Sequence, residues 1–321
     1  MDLSIIFVNW NSVDFLRECL ASVYANTKST SFEIIIVDNA SPQGGVESLK
    51  EDYPEITIIK SEKNLGFAGA NNLGFRQVTA EYVLLLNPDT LLVGPTIDIL
   101  LEAIRNLPDA GIVGCKMLNS DLSVQTTSIQ KFPTIVNQLL NSEYLHLWWP
   151  GCPLWNIAPL FSDGKGLVKV EVIPGACMLL RSRVFAEVGM FSEDYFMYAE
   201  DLDLNFKLQK AGYTNYYIGS ATIIHHGGRS SSRQKVSQWA TMMKFQAMTR
   251  YYRKNRGRGY ELAYRTAMSC AAVGRLMILA LLYPLGNAIW NKQAVRNALE
   301  KWKVVLRCAI GRQDFALRNQ R

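Results

Sequence analysis

The sequence predicts an α/β fold built on a mostly parallel central sheet flanked by helices. Short apolar runs rich in Val and Ile, at residues 3–8, 33–37, 56–59 and 82–86, have the continuous hydrophobicity of strands covered on both faces. Helix-length segments lie between them, and strands that alternate with helices imply parallel pairing. Polar residues then follow several strands: Asn9-Trp10-Asn11 after Val8, Asp38-Asn39-Ala40-Ser41, and Asn87-Pro88-Asp89. Ligands of open α/β sheets bind outside the carboxyl ends of the strands, so these tips should line one crevice.

Each element has its own local reason. Ser12 is placed to cap a helix whose apolar residues Phe15, Leu16, Leu20, Val23 and Tyr24 recur at helical spacing. In the stretch 64–72, Gly66 and Gly69 permit close backbone approach before an expected helix start. Its N–H groups either face a phosphate or base, or simply close a turn. Pro88 cannot donate to a sheet ladder, so the strand at 82–86 must end there. Further along, 168–173 and 176–180 read as two strands joined around Pro174-Gly175, 202–211 as a helix stopped by Gly212, and 221–224 as another strand. The stretch from about 120 to 165, with Trp148, Trp149 and Trp155 among turn residues, reads as an irregular insertion.

A chain of 321 residues can bury one large core or two moderate ones, and 49% hydrophobic with 19% charged residues excludes disorder as the default. Met1-Asp2-Leu3-Ser4 lacks a basic n-region and the following apolar run is broken by Asn9 and Asn11, so a cleaved signal peptide is not expected and a cytoplasmic location is. The six cysteines are scattered without CxxC spacing, which reads as reduced, mostly buried thiols.

Charge divides the chain. Residues 1–233 hold 17 Lys/Arg against 25 Asp/Glu, whereas 234–321 hold 17 against 3, a change from −8 to +14. Within the basic part, 276–290 is apolar apart from Asn287, yet its 15 residues fall short of the roughly 20 that span a bilayer as a helix. Flanked by Arg250, Arg253, Lys254, Arg256 and Arg258, it suits peripheral contact with an anionic membrane. A buried helix hairpin or a homodimer contact accounts for the same pattern. The interleaved aliphatic run disfavours nucleic acid as the partner.

The chemistry-bearing residues fall on the expected strand and helix ends. Asp38 either closes its strand in an Asx turn or accepts a hydrogen bond from a pyrimidine imide N–H. Asp89 is either a solvated turn aspartate or a ligand for Mg²⁺ or Mn²⁺, hard ions that bridge diphosphate oxygens and leave other positions to water. Glu200-Asp201-Leu202-Asp203 places three carboxylates at a helix N-terminus, where the helix dipole favours negative charge, and capping alone accounts for one or two of them. Tyr195, Phe196 and Tyr198 just before them can wall an apolar cleft, in which a carboxylate suits work as a general base. His225-His226 precedes Gly227-Gly228-Arg229-Ser230, where imidazole is a good ligand for Mn²⁺-class ions and Arg229 can pair with a diphosphate.

Read in order, Val37-Asp38-Asn39, the 64–72 stretch, Asn87-Pro88-Asp89, Pro174-Gly175-Ala176, Glu200-Asp201-Leu202-Asp203 and His225-x-x-Gly228-x-Ser230 resemble glycosyltransferase family 2, and within it the bacterial rhamnosyltransferase-like group. The resemblance covers about 3 to 235 and implies a GT-A fold over 1–233, with a nucleotide-binding half (1–115), an acceptor and catalytic half (116–233) and a helical extension (234–321). It implies an inverting hexosyltransferase using a dTDP- or UDP-sugar, best read as dTDP-rhamnose, with a glycan or lipid-linked saccharide acceptor of a bacterial cell surface. That acceptor would place the protein at the inner face of the cytoplasmic membrane.

By the same resemblance, Val8, Asn9, Asp38, Asn39, Asn64, Gly66, Asn71, Asn87, Asp89 and Arg229 face the nucleotide diphosphate. Asp89 and His225 carry the Mg²⁺ or Mn²⁺, Asp201 is the general base with Glu200 beside it, and Gly175, Trp149 and Tyr198 face the acceptor. Asn87 stands where the family's DxD-type motif has its first carboxylate. The QxxRW signature of processive synthases is absent, since Gln238-Trp239 lacks that spacing, so one or a few sugars per acceptor is the expected outcome. A catalytically silent, nucleotide-sugar-binding membrane scaffold is the reading from another class.

Overall fold

The protein is described by a computed structural model covering residues 1–140, 149, 152, 166–227, 238–283 and 292–312. The chain runs β1 (Leu3–Asn9), α1 (Val13–Asn26), β2 (Phe32–Asp38), α2 (Leu49–Asp52), β3 (Thr57–Lys60), α3 (Gly66–Phe75), β4 (Tyr82–Leu86), β5 (Thr90–Val93), α4 (Thr96–Arg105) and β6 (Ala110–Leu118). It continues through α5 (Ile135–Leu139), β7 (Leu167–Val170), β8 (Cys177–Arg181), α6 (Ser182–Glu187), α7 (Glu200–Lys210) and β9 (Thr214–His225). It closes on three long helices, α8 (Gln238–Arg256), α9 (Arg258–Leu282) and α10 (Lys292–Ala309).

One sheet of order β3-β2-β1-β4-β8-β6-β9-β5 organises these elements, with β7 paired to β9. Strands β3, β2, β1 and β4 are parallel, as their spacing by helices predicts. The other half makes the sheet mixed. Strand β8 is antiparallel to both β4 and β6, β9 is parallel to β6, and β5 and β7 are antiparallel to β9. A parallel neighbour needs a crossover of about a dozen residues. Only residues 87–89 separate β4 from β5, so β5 leaves its predecessor and pairs with β9 at the far edge.

Alternate side chains of the central strands enter two different cores. Leu3, Ile5, Phe7, Ile34, Ile36, Leu84 and Leu86 pack with Leu16, Leu20, Leu100 and Ile104 of α1 and α4 on one face. Ile6, Ile35, Val83 and Leu85 pack with Phe185, Leu204 and Leu208 of α6 and α7 on the other. Each such side chain contributes about 1.5–3 kcal/mol on burial. With both faces apolar, hydrophobicity alone does not set the register, and the polar strand ends do so. Asn9 pairs opposite Asp38 in the ladder and its Nδ2 donates to Asp38 Oδ1 at 2.8 Å.

Two local expectations are corrected. Ser12 precedes α1 but its side chain makes no capping bond. Its N–H and hydroxyl both donate to Asn9 Oδ1, at 3.2 and 3.0 Å. The amides that open α3 are not free for a phosphate. Leu65 N donates to Asn39 Oδ1, Gly66 N to Asn64 Oδ1 and Phe67 N to the Phe196 carbonyl, at 2.8, 2.9 and 3.1 Å. Gly66 has φ +72°, and a Cβ there would stand 2.2 Å from the Phe196 oxygen, so only glycine permits this approach of α3 to the segment before α7.

The three C-terminal helices form a third core, in which Phe245, Tyr251, Tyr252, Tyr264 and Met268 pack with Tyr195 and Ala199. Polar contacts reinforce the junction. Asn255 Nδ2 donates to the buried Asp203 carboxylate at 3.0 Å, and Lys254 Nζ lies 2.7 Å from Ser192 Oγ and 3.1 Å from Asp194 Oδ2. All six cysteines are free thiols, and Cys270 alone among them is exposed. No helix among the described residues is long and apolar enough to cross a membrane. The apolar run at 276–290 enters the end of α9, and its residues 284–290 lie outside the described residues.

Candidate active site

The strand directions bring the polar tips to one edge. Asn9, Asp38 and Asn87 follow β1, β2 and β4, while β8, running the other way, delivers Gly175 and Ala176 at its start. The decisive junction is the end of the β4–β8 ladder, where Leu86 pairs with Cys177 and Asn87 N donates to the Ala176 carbonyl at 3.0 Å. One residue earlier, Gly175 N donates to Asp201 Oδ2 at 3.2 Å. The two acidic motifs, separated by over a hundred residues in sequence, are thus linked through the backbone groups of Asn87, Ala176 and Gly175.

On the Asn87 side, the chain turns at Pro88 and enters β5, whose first residue Thr90 pairs with His225 at the end of β9. His226 N donates to the Asp89 carbonyl at 2.9 Å. This ladder sets the buried Asp89 carboxylate, Oδ1, 3.4 Å from His225 Nε2, with Asn87 Nδ2 at 3.4 Å from the same nitrogen. One carboxylate and one imidazole at this spacing fit a divalent cation whose remaining positions go to diphosphate oxygens and water. No group of three or more His, Cys, Asp or Glu able to hold a metal by itself occurs among the described residues.

Asp201 on the other side is half-buried at the start of α7 and also accepts from Leu202 N at 2.8 Å. Its neighbour Glu200 is buried, and Glu200 Oε2 has no hydrogen-bond partner among the described residues. Desolvation, followed by the charge of Asp201, pushes the Glu200 carboxyl up to about 8. Desolvation raises the Asp201 carboxyl too, while the backbone amides of Leu202 and Gly175 pull it down. A neutral Glu200 beside an ionised Asp201 is the arrangement that keeps a second charge out of this pocket. Tyr198 and Ala199, with φ of +69° and +63°, turn the chain sharply into α7, and Tyr198 is half-buried with Lys244 Nζ 5.0 Å from its ring centre.

Asp38 is buried and its Oδ1 also accepts from Ser41 Oγ, while Oδ2 carries no hydrogen bond among the described residues. Asn39 Nδ2 donates to Asn64 Oδ1 and the Gly66 carbonyl at 3.0 and 3.2 Å, and Asn71 Nδ2 to the Phe67 carbonyl at 3.0 Å. Asn39 and Asn64 thus hold the loop into α3, while the Asn71 bond lies within α3 itself. Val8 is half-buried beside Asn9. Trp149 is 63% exposed. Arg229 lies outside the described residues, as do Trp148 and Trp155.

Sequence reasoning missed Asn72 and Gln125. Asn72 Nδ2 donates to the Phe191 carbonyl at 2.9 Å and to Glu193 Oε1 at 3.0 Å, and its Oδ1 accepts from Phe191 N, which ties α3 to the segment leading into α7. Its place in the Asn71-Asn72 pair was the available signal. Gln125 touches His225 twice, from a stretch without periodicity, and no sequence signal marks it.

The family model described as glycosyl transferase family 2 matches residues 4–189. The chain belongs to this family. Among its relatives is the N-acetylglucosaminyl-diphospho-decaprenol L-rhamnosyltransferase of Mycobacterium tuberculosis, 30% identical over 75% of this chain and 81% of that one. The rhamnosyltransferase WbbL of Escherichia coli is 26% identical over 77% of this chain and 92% of its own length. The mannosyltransferase PcManGT of Pyrobaculum calidifontis, solved with GDP-Man and Mn²⁺, superposes over 97% of this chain and 86% of its own with TM-score 0.60 and 16% identity. GalNAc-T7, solved with UDP, GalNAc and Mn²⁺, matches 78% of this chain and 47% of its own with TM-score 0.58 and 13% identity. The fold is GT-A, as the ordered motifs imply, and the protein is a glycosyltransferase.

The paired carboxyls set a pH dependence of stability. Because the folded state holds the Glu200 proton more tightly than the ordinary value of 4.5, the stabilisation is complete below about 4.5 and is lost as pH rises through about 8. Thermal melts should therefore show wild type losing stability from pH 5 to pH 9 relative to Glu200→Gln, with the variant the more stable at the alkaline end. Parallel melting curves for the two would contradict a protonated Glu200.

Proposed function

We propose that the protein transfers a sugar, best read as L-rhamnose from dTDP-rhamnose, to a glycan or lipid-linked glycan acceptor by a single inverting displacement. The observation that carries this reading is the backbone link at the Asn87–Ala176 junction, with Gly175 N bonded to Asp201 on one side and the Asp89–His225 pair two residues past Asn87 on the other. In it, the free Oδ2 of Asp38 accepts from the imide N–H of the base, an edge that thymine and uracil share. Asn39, Asn64, Gly66 and Asn71 shape the loop beside the nucleotide, with Val8 and Asn9 at its floor. Asp89 and His225 would hold Mg²⁺ or Mn²⁺, which when bound offsets the charge of the diphosphate and improves it as a leaving group.

The acceptor hydroxyl oxygen then bonds to the anomeric carbon as the carbon–oxygen bond to the diphosphate breaks, and Asp201 takes the hydroxyl proton. The Gly175 amide aims the Asp201 carboxylate, Glu200 stays neutral behind it, and Tyr198 with Gly175 faces the acceptor. The rhamnose assignment and the lipid-linked acceptor are supported by the activities that the Mycobacterium and Escherichia relatives carry in their names.

Peripheral attachment to an anionic bilayer completes this reading. Met277, Ile278, Leu281 and Tyr283 at the end of α9 are 59%, 57%, 74% and 44% exposed, and exposed Lys292 and Arg296 lie at the start of α10. Apolar side chains beside basic ones suit a surface of acyl chains and anionic head groups.

Nucleoside diphosphate release should occur from dTDP-rhamnose in a panel of dTDP- and UDP-sugars with a lipid-linked acceptor extract. Asp201→Asn should lower turnover by about 10²-fold or more while donor affinity is kept. Full turnover in that variant would remove Asp201 as the base, and release from a UDP-sugar alone would reassign the donor. In sedimentation with vesicles, wild type should partition onto phosphatidylglycerol-containing but not neutral membranes, and Met277→Glu with Leu281→Glu should abolish it. Equal partitioning of the variant would contradict docking through α9.

A further inference from the structure

Gln125 stands in the stretch between β6 and α5 with its backbone held on both sides. Its N–H donates to the Met117 carbonyl at 2.8 Å, and its own carbonyl accepts from Ser128 N and Ser128 Oγ at 3.0 and 2.7 Å. The side chain spends both ends on one residue. Nε2 donates to the His225 backbone carbonyl at 2.8 Å, and Oε1 lies 3.0 Å from His225 Nδ1.

This pair of bonds decides the state of the imidazole. A carbonyl oxygen only accepts, so the first bond fixes which end of the Gln125 amide faces it. The remaining end, Oε1, also only accepts, so Nδ1 must carry the hydrogen. In the neutral ring Nε2 is then the bare nitrogen, and it is the one that faces Asp89 Oδ1 and Asn87 Nδ2, each at 3.4 Å. Gly227, two residues on, has φ +43°, a backbone conformation that side chains rarely adopt.

We propose that Gln125 is a positioning residue that locks His225 in its Nδ1–H tautomer and so presents Nε2 as a ligand beside Asp89. The proposal rests on the divalent-cation reading above and adds to it the residue that orients the ligand. Partners of this kind fix the tautomer and ring orientation of metal-binding histidines, and their loss costs about 10–100-fold in metal affinity. Gln125 touches neither substrate nor metal in this role and acts through His225 alone.

Two readouts on the full chain test it. In the metal-free protein labelled with ¹⁵N-histidine, at a pH where the ring is neutral, His225 should show a protonated Nδ1 and a bare Nε2, its signals assigned by their loss in His225→Asn. Gln125→Met, similar in size but without the amide, should show a mixture of tautomers, and Gln125→Glu, which still accepts from Nδ1, should keep the wild-type one. Titrated with Mn²⁺ in the presence of dTDP and followed by electron paramagnetic resonance, Gln125→Met should bind the ion about 10-fold or more weakly than wild type. A wild-type ring protonated on Nε2, or a Gln125→Met protein with unchanged tautomer and Mn²⁺ affinity, would overturn the assignment. If wild type itself takes up no Mn²⁺, the cation reading and the ligand role fall together, while the tautomer spectra still decide the lock.

Discussion

The active edge depends on the antiparallel pairing of β4 with β8. Residues 82–86 and 177–181 come from opposite halves of the molecule, and their ladder ends with Asn87 bonded to Ala176. Everything chemical hangs from that end. Toward β5 the chain carries Asp89 to His225, and toward the Pro174-Gly175 corner it carries a backbone amide to Asp201. A parallel β8 would deliver its other end here and place Gly175 at the opposite edge of the sheet. The change of strand direction in mid-sheet is thus what links the two remote acidic motifs through the backbone.

Around this junction the structure is braced from three directions. Asn39 and Asn64 hold the loop into α3, and Gly66 lets that helix touch Phe196 at a distance no side chain would permit. Asn72 ties α3 to Phe191 and Glu193, and Lys254 and Asn255 tie α8 to the same segment and to Asp203. The segment 191–199 is therefore clamped between the nucleotide-side loop and the C-terminal helices before it turns, through two residues of positive φ, into Glu200 and Asp201. The basic C-terminal part is a structural partner of the α7 start as well as a membrane-facing surface in the proposed reading.

Much of this was legible in the sequence because it is local. Runs such as Tyr82–Leu86 announce buried strands, and Asp38, Asn87 and Asp89 mark their polar ends. Long-range pairing was not legible in the same way. The antiparallel half of the sheet follows from the shortness of the 87–89 turn and from contacts that no periodicity encodes. Ser12 shows a subtler limit: a good capping residue bonds back to Asn9 Oδ1 and makes no capping bond to its helix. Gln125 shows the hardest case, since its role exists only once β6, β9 and the loop after Leu118 have come together.

The central claim is that donor and base meet across the Asn87–Ala176 junction. A crystal structure with Mn²⁺ and a non-transferable dTDP-rhamnose analogue tests it most directly. The account predicts the diphosphate at Asp89 and His225, the thymine imide on Asp38, and the Asp201 carboxylate on the face of the anomeric carbon opposite the leaving group. A donor seated away from this edge, or an Asp201 carboxylate on the same face as the diphosphate, would contradict it.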